Sequence, residues 1–145
     1  MTPVEVGNMA EVRFVYDALA NGLHPCPPWS GQSGFDIVLA EAHRSFRVQV
    51  KVCTGKVYGA RRRFPAVGLY GSYLSTGRSK RRKYSPGEFD VLAVWIRSEN
   101  AWVFMTVEDV RGRVTVSLPP KVRRNNWPIF SNTSKPLIGS HPVTH

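Results

Sequence analysis

The run Phe46-Arg47-Val48-Gln49-Val50-Lys51-Val52 alternates apolar and polar residues without a break. That period of two belongs to a β-strand with one face in a core. It follows Phe35-Asp36-Ile37-Val38-Leu39-Ala40, an apolar run that reads as a mostly buried strand, and only Glu41 to Ser45 separates the two. A gap that short predicts a hairpin. With the turn centred near His43, antiparallel partners have residue numbers summing to about 86, so Asp36 falls opposite position 50, within reach of Gln49 and Lys51. The second strand then presents Phe46, Val48, Val50 and Val52 on one side and Arg47, Gln49 and Lys51 on the other.

The rest of the chain supplies partners for this hairpin. Residues 3 to 21 read as a helix, with Val4, Met9, Val12, Val15, Tyr16 and Leu19 recurring at steps of three and four and Asn21-Gly22 as a stop. Glu11 lies inside it. His24 to Gly34 carries three prolines and two glycines and reads as a loop. A second hairpin is predicted from Phe89 to Ile96, turning at Ser98-Glu99-Asn100 into Ala101 to Met105. Thr106 can cap a helical turn over Val107 to Val110, Gly112 ends it, and Val114 to Leu118 reads as a last strand. The expected fold class is a small α/β domain of α+β type, a mixed sheet flanked by helices, with its core in residues 1–120 and a basic, proline-interrupted tail in 121–145.

Charge points to the partner. The 145 residues hold 20 Lys and Arg against 10 Asp and Glu, a net charge of +10, with 42% hydrophobic residues. A folded chain so basic is expected to meet a polyanion, and nucleic acid is the default. The surplus is concentrated. Between Cys53 and Pro86 stand Lys56, Arg61, Arg62, Arg63, Arg78, Lys80, Arg81, Arg82 and Lys83, with no acid, interleaved with Tyr58, Phe64, Tyr70, Tyr73 and Tyr84. This segment, read as a long basic loop inserted at 53–86, suits phosphate contacts with base or sugar packing, and Arg123 and Arg124 extend the cationic set into the tail. Two cysteines are too few for a disulfide scaffold, and no apolar run approaches the length of a membrane span. The expectation is an intracellular, cytoplasmic protein that meets its polyanion at the nucleoid and not a membrane.

Phosphodiester hydrolysis calls for a metal, anionic oxygens to hold it, and a cation near the developing charge. Asp36 beside Gln49 and Lys51, with Glu11 folding across from the helix, offers two carboxylates, an amide oxygen and an ammonium. The succession Gly7-x-x-x-Glu11, Phe35-Asp36-Ile37-Val38 and Gln49-Val50-Lys51 resembles the core of PD-(D/E)XK nucleases. It is most similar to the small group I intron-associated homing endonucleases with a Gln-x-Lys motif, and archaeal-type Holliday junction resolvases share the pattern.

That resemblance implies a sequence-specific DNA endonuclease dependent on Mg²⁺ or Mn²⁺. Asp36 is implied as the main metal ligand, Glu11 as a further acid, Gln49 and the Val50 carbonyl as additional oxygens, and Lys51 as the group that orients water or stabilises phosphorane charge. Gln49 replaces an acidic residue of the common motif and removes one negative charge from the metal site. A resolvase of branched DNA and an inactive nucleic-acid-binding module of the same fold are the alternative readings. Cutting two strands of a duplex, or resolving a symmetric junction, implies a homodimer or higher homo-oligomer. Val57-Tyr58-Gly59 and Leu69-Tyr70-Gly71 lie too far along the chain for a GIY-YIG nuclease, and His24, His43, His141 and His145 lack metal-ligand spacing.

Overall fold

The computed structural model describes residues 1–28, 35–53, 66–68, 70–75, 78–83, 87–111, 115–119 and 121–130. Its opening helix, α1 (Pro3–Ala20), begins with Thr2 and Glu5 capping each other's backbone N–H, with Pro3 in the first turn. Asn21 closes it, and Gly22 takes the left-handed turn at φ +76°.

The helix rests on a five-stranded sheet in the order β1 (Pro25–Cys26), β2 (Ile37–Ala40), β3 (Ser45–Cys53), β7 (Val91–Ile96) and β8 (Ala101–Thr106). The β2–β3 and β7–β8 pairs are antiparallel hairpins, whereas β3 and β7 run parallel at the centre, so the sheet is mixed as expected. Asn100, in the left-handed region at φ 50°, closes the second hairpin after a 3-10 turn over Arg97–Glu99. Thr106 and Asp109 form a reciprocal cap on α2 (Val107–Val110). β9 (Thr115–Ser117) pairs with β4 (Ala66–Gly68).

The alternation of β7 and β8 divides the core between the two sheet faces. Val91, Ala93, Trp102 and Phe104 join Ala10, Phe14 and Ala18 of α1, while Leu92, Val94, Val103 and Met105 join Val110 and Leu118. Asp17 ties α1 to β8 by accepting from Trp102 Nε1 at 2.8 Å, and the Arg13 guanidinium lies 4.6 Å from the Trp95 ring centre.

Five expectations need correction. First, α1 buries Ala10, Phe14 and Ala18, and the six apolar residues read as its core face include Val4, Met9, Val12, Tyr16 and Leu19, all exposed. Small residues on the inner face let the helix lie close to the sheet around one large ring. Second, Pro25–Cys26 is a short edge strand, so His24 to Gly34 is not loop throughout. Third, the hairpin register sums to 85, with Ile37 opposite Val48, one residue from the expected pairing. Fourth, the basic segment contains β4, β5 (Tyr70–Ser75) and β6 (Arg78–Lys83), the last two forming an antiparallel hairpin. Fifth, the polar tail holds two core anchors: Trp127 and Phe130 are buried against Phe14, Phe46 and Phe104.

Candidate active site

The site forms where β2 begins. Asp36 precedes the strand, and its N–H still donates to the Val48 carbonyl at 2.9 Å, which holds its side chain against β3. Asp36 Oδ2 accepts from the Val50 backbone N–H and from Gln49 Nε2, both at 2.8 Å. Gln49 is the one buried polar residue among the described residues, 8% exposed. Its amide nitrogen donates to Asp36 and, at 3.5 Å, to the Val50 carbonyl, and Oε1 is its ligand-capable atom. Because the N–H and C=O of a strand residue point to the same edge, the Val50 carbonyl also points past the start of β2.

Glu11 completes the cluster from the helix side. Its carboxyl hydrogen-bonds that of Asp36 and is pushed up to about 7, mostly by burial and then by the Asp36 charge. Burial likewise raises Asp36, against the lowering influence of the Val50 N–H, the nearby Lys51 ammonium and the Glu11 hydrogen bond. Burial raises both carboxyls and the Asp36 charge raises Glu11 further, so the pair does not ionise fully at neutral pH without a cation. All four expected residues, Glu11, Asp36, Gln49 and Lys51, therefore meet in one place.

A divalent cation fits this donor set. Asp36 and Glu11 would hold it, with the Gln49 amide oxygen and the Val50 carbonyl as further donors, and Mg²⁺ needs only one or two protein carboxylates because it keeps several waters. Among the described residues no cluster of three or more Asp, Glu, His or Cys forms a metal site. Asp90, the nearest acid in the adjoining strand register, is occupied elsewhere: its oxygens accept from the Arg47 N–H at 2.8 Å, Nε at 3.3 Å and Nη2 at 3.1 Å. This clamp, which also takes Arg47 Nη1 to the Gly87 carbonyl, sets β3 against β7 at the level of the site. Neither it nor the role of the Val50 N–H was expected from the sequence, where an Arg and an Asp 43 residues apart carry no local signal.

The expected DNA contacts divide three ways. Arg78, Lys80, Arg81, Arg82 and Lys83 all lie on β6, where Lys80 pairs with Tyr73 and Lys83 with Tyr70 of β5. Lys56, Arg61, Arg62 and Arg63 lie outside the described residues. Of the tail pair, Arg123 is exposed, but Arg124 is engaged within the fold: Nη2 pairs with Glu99 at 3.2 Å and Nη1 donates to the Pro119 carbonyl at 2.6 Å, with 12% of its side chain exposed.

Comparison with known proteins bears on the fold and the family. A family model described as PD-(D/E)XK endonuclease matches residues 1–127. A comparison with curated proteins finds no match. Among solved structures, the bacterial homing endonuclease I-Ssp6803I matches with a TM-score of 0.70 over 90% of this chain and 93% of that chain, at 16% identity, a likeness of fold. A family match over most of the chain, together with the mixed sheet and its helix, establishes that this chain belongs to the PD-(D/E)XK endonuclease family.

Proposed function

We propose that this chain is a metal-dependent DNA endonuclease that hydrolyses phosphodiester bonds, homing-endonuclease-like and sequence-specific, working with Mg²⁺ or Mn²⁺ as a homodimer or higher homo-oligomer. The observation that carries the reading is the meeting of Glu11, Asp36, Gln49 and Lys51 around one carboxyl pair. When bound, the ion supplies Lewis-acid polarisation of the phosphate and a water of lowered pKa.

The chain's own residues do the rest. Asp36 is held in one orientation by the Val50 N–H and the Gln49 amide on Oδ2, so its carboxylate would meet an ion already oriented. Glu11, which keeps its proton up to about pH 7 in the metal-free pocket, would hold the ion in its charged form beside Asp36, its proton passing to solvent. Lys51, on the same face of β3 as Gln49, stabilises the charge that builds on the phosphoryl oxygens in the transition state. The cations of β6, with Lys56, Arg61, Arg62, Arg63 and Arg123, hold the DNA backbone, and the tyrosines among them pack on sugars and bases.

The deciding experiment incubates purified protein with linear duplex, plasmid and a four-way junction, with and without Mg²⁺. Metal-dependent cutting at a recurrent sequence, lost in Asp36→Ala and Lys51→Ala while DNA binding persists, is the expected result. Preference for the junction whatever its sequence would replace the homing reading with that of a resolvase. Binding without cutting, unchanged by Lys51→Ala, would leave a DNA-binding module.

A further inference from the structure

Helix α1 carries two apolar faces, and the sheet uses one. Opposite Ala10, Phe14 and Ala18 stand Met9, Val12, Tyr16 and Leu19, respectively 55%, 70%, 70% and 59% exposed. Met9, Val12 and Tyr16 line an open groove with Asn8 and Arg13, and Leu19 continues the same face one turn on. A surface helix of a monomer places polar residues there. Together these four side chains leave on the order of 500 Å² accessible, at the upper end of the patches that monomers expose and more than half of the roughly 800 Å² per partner of a standard interface.

Two features identify the occupant. The steps from Met9 to Leu19 are three, four and three residues, the a/d spacing by which one helix packs along another. That spacing is also palindromic about Phe14, so an antiparallel copy of the same helix sets Met9 against Leu19 and Val12 against Tyr16 and meets the requirement of a two-fold contact for a self-complementary surface. Charge agrees. Two chains of +10 repel over most of their surfaces, but between Asn8 and Ala20 the outer face carries no lysine, and the guanidinium of Arg13 is already paired with Asp17 at 3.0 Å and lies over Trp95.

We infer that the outer face of α1 is the surface through which two copies of this chain associate, antiparallel and helix to helix. The inference deepens the proposed function by naming the interface that a two-strand cutter needs. Its surface argument stands apart from the chemistry, and only a cutting readout rests on the nuclease reading. In such a dimer Glu11 of each copy lies on the paired helices themselves, which sets the two sites at a fixed separation.

Sedimentation velocity of the full chain over the micromolar range tests it. The wild type is expected at twice 16.3 kDa. Val12→Glu with Tyr16→Glu is expected at 16.3 kDa, with self-affinity weakened on the order of 100-fold, and Tyr16→Phe is expected to remain dimeric. Both positions are exposed, so circular dichroism should be unchanged. A wild type that stays monomeric, or a dimer indifferent to the paired glutamates, overturns the assignment. On plasmid DNA the monomeric variant should nick where the wild type linearises. If neither protein cuts while the masses behave as stated, the nuclease reading fails and the interface stands.

Discussion

The two hairpins of the central sheet are built alike and spent differently. In β7–β8 both faces are apolar: Val91 to Val94 and Ile96 are buried, and Trp102 packs on Phe14, Trp95 and Phe104. In β2–β3 one face joins the same core through Ile37, Leu39, Phe46, Val48 and Val50, while the other carries Gln49 and Lys51 and, at its mouth, a carboxyl pair with raised pKa. The β7–β8 hairpin holds the fold. The β2–β3 hairpin accepts a desolvated acid cluster that a core designed only for stability would replace with apolar residues.

Substitutions should separate the two, and the largest effect belongs to the chemistry. Asp36→Ala is expected to reduce DNA cutting by about 10³-fold or more, on the order of 4 kcal/mol of barrier, while thermal melting without metal falls by only a few degrees, the orphaned Val50 and Gln49 donors being offset by removal of a buried carboxyl. A melting temperature that collapses would mean Asp36 is structural. The mirror case is Trp102→Ala, which forfeits three ring contacts and the Nε1 bond to Asp17. Denaturant titration should show a loss of about 3–5 kcal/mol, with cutting per folded molecule retained.

Smaller changes sharpen the contrast. Gln49→Glu adds a third acid to the cluster, and calorimetry should find Mn²⁺ bound more tightly, on the order of tenfold, with the metal-free protein less stable at pH 8. Glu11 gives the gentlest signal. The unfolded chain loses its proton near 4.5 and the folded chain near 7, so the folded state holds more protons in that window and stability in chelator falls as pH rises through it. Glu11→Gln should flatten that fall in a pH series of thermal melts. A slope unchanged by the substitution would show that Glu11 titrates normally.

How much of this the sequence carried follows the same division. The strict alternation of β3 and the brevity of the link from β2 made the hairpin and its convergence of Asp36, Gln49 and Lys51 legible, and a register error of one residue did no harm because the Asp36 side chain reaches both Gln49 and the Val50 N–H. The extent of α1 was legible from its periodicity and the Asn21-Gly22 stop, but its buried face was not. Hydrophobic periodicity counts large apolar residues, and here those point outward while two alanines and one phenylalanine face the sheet. β6 was hidden because Arg78-Ser79-Lys80-Arg81-Arg82-Lys83 has no apolar alternation; its pairing with β5 rests on backbone hydrogen bonds that composition does not report. Trp127 and Phe130 were hidden by their polar neighbours.

The central claim is that Asp36 and Glu11 together seat a divalent ion beside Lys51, and titration of Mn²⁺ into the full chain by calorimetry tests it most directly. At pH 8 the wild type should bind with measurable heat and release protons, bind more weakly as pH falls through 7, and lose the interaction in Asp36→Ala. Undiminished Mn²⁺ binding by Asp36→Ala would contradict it.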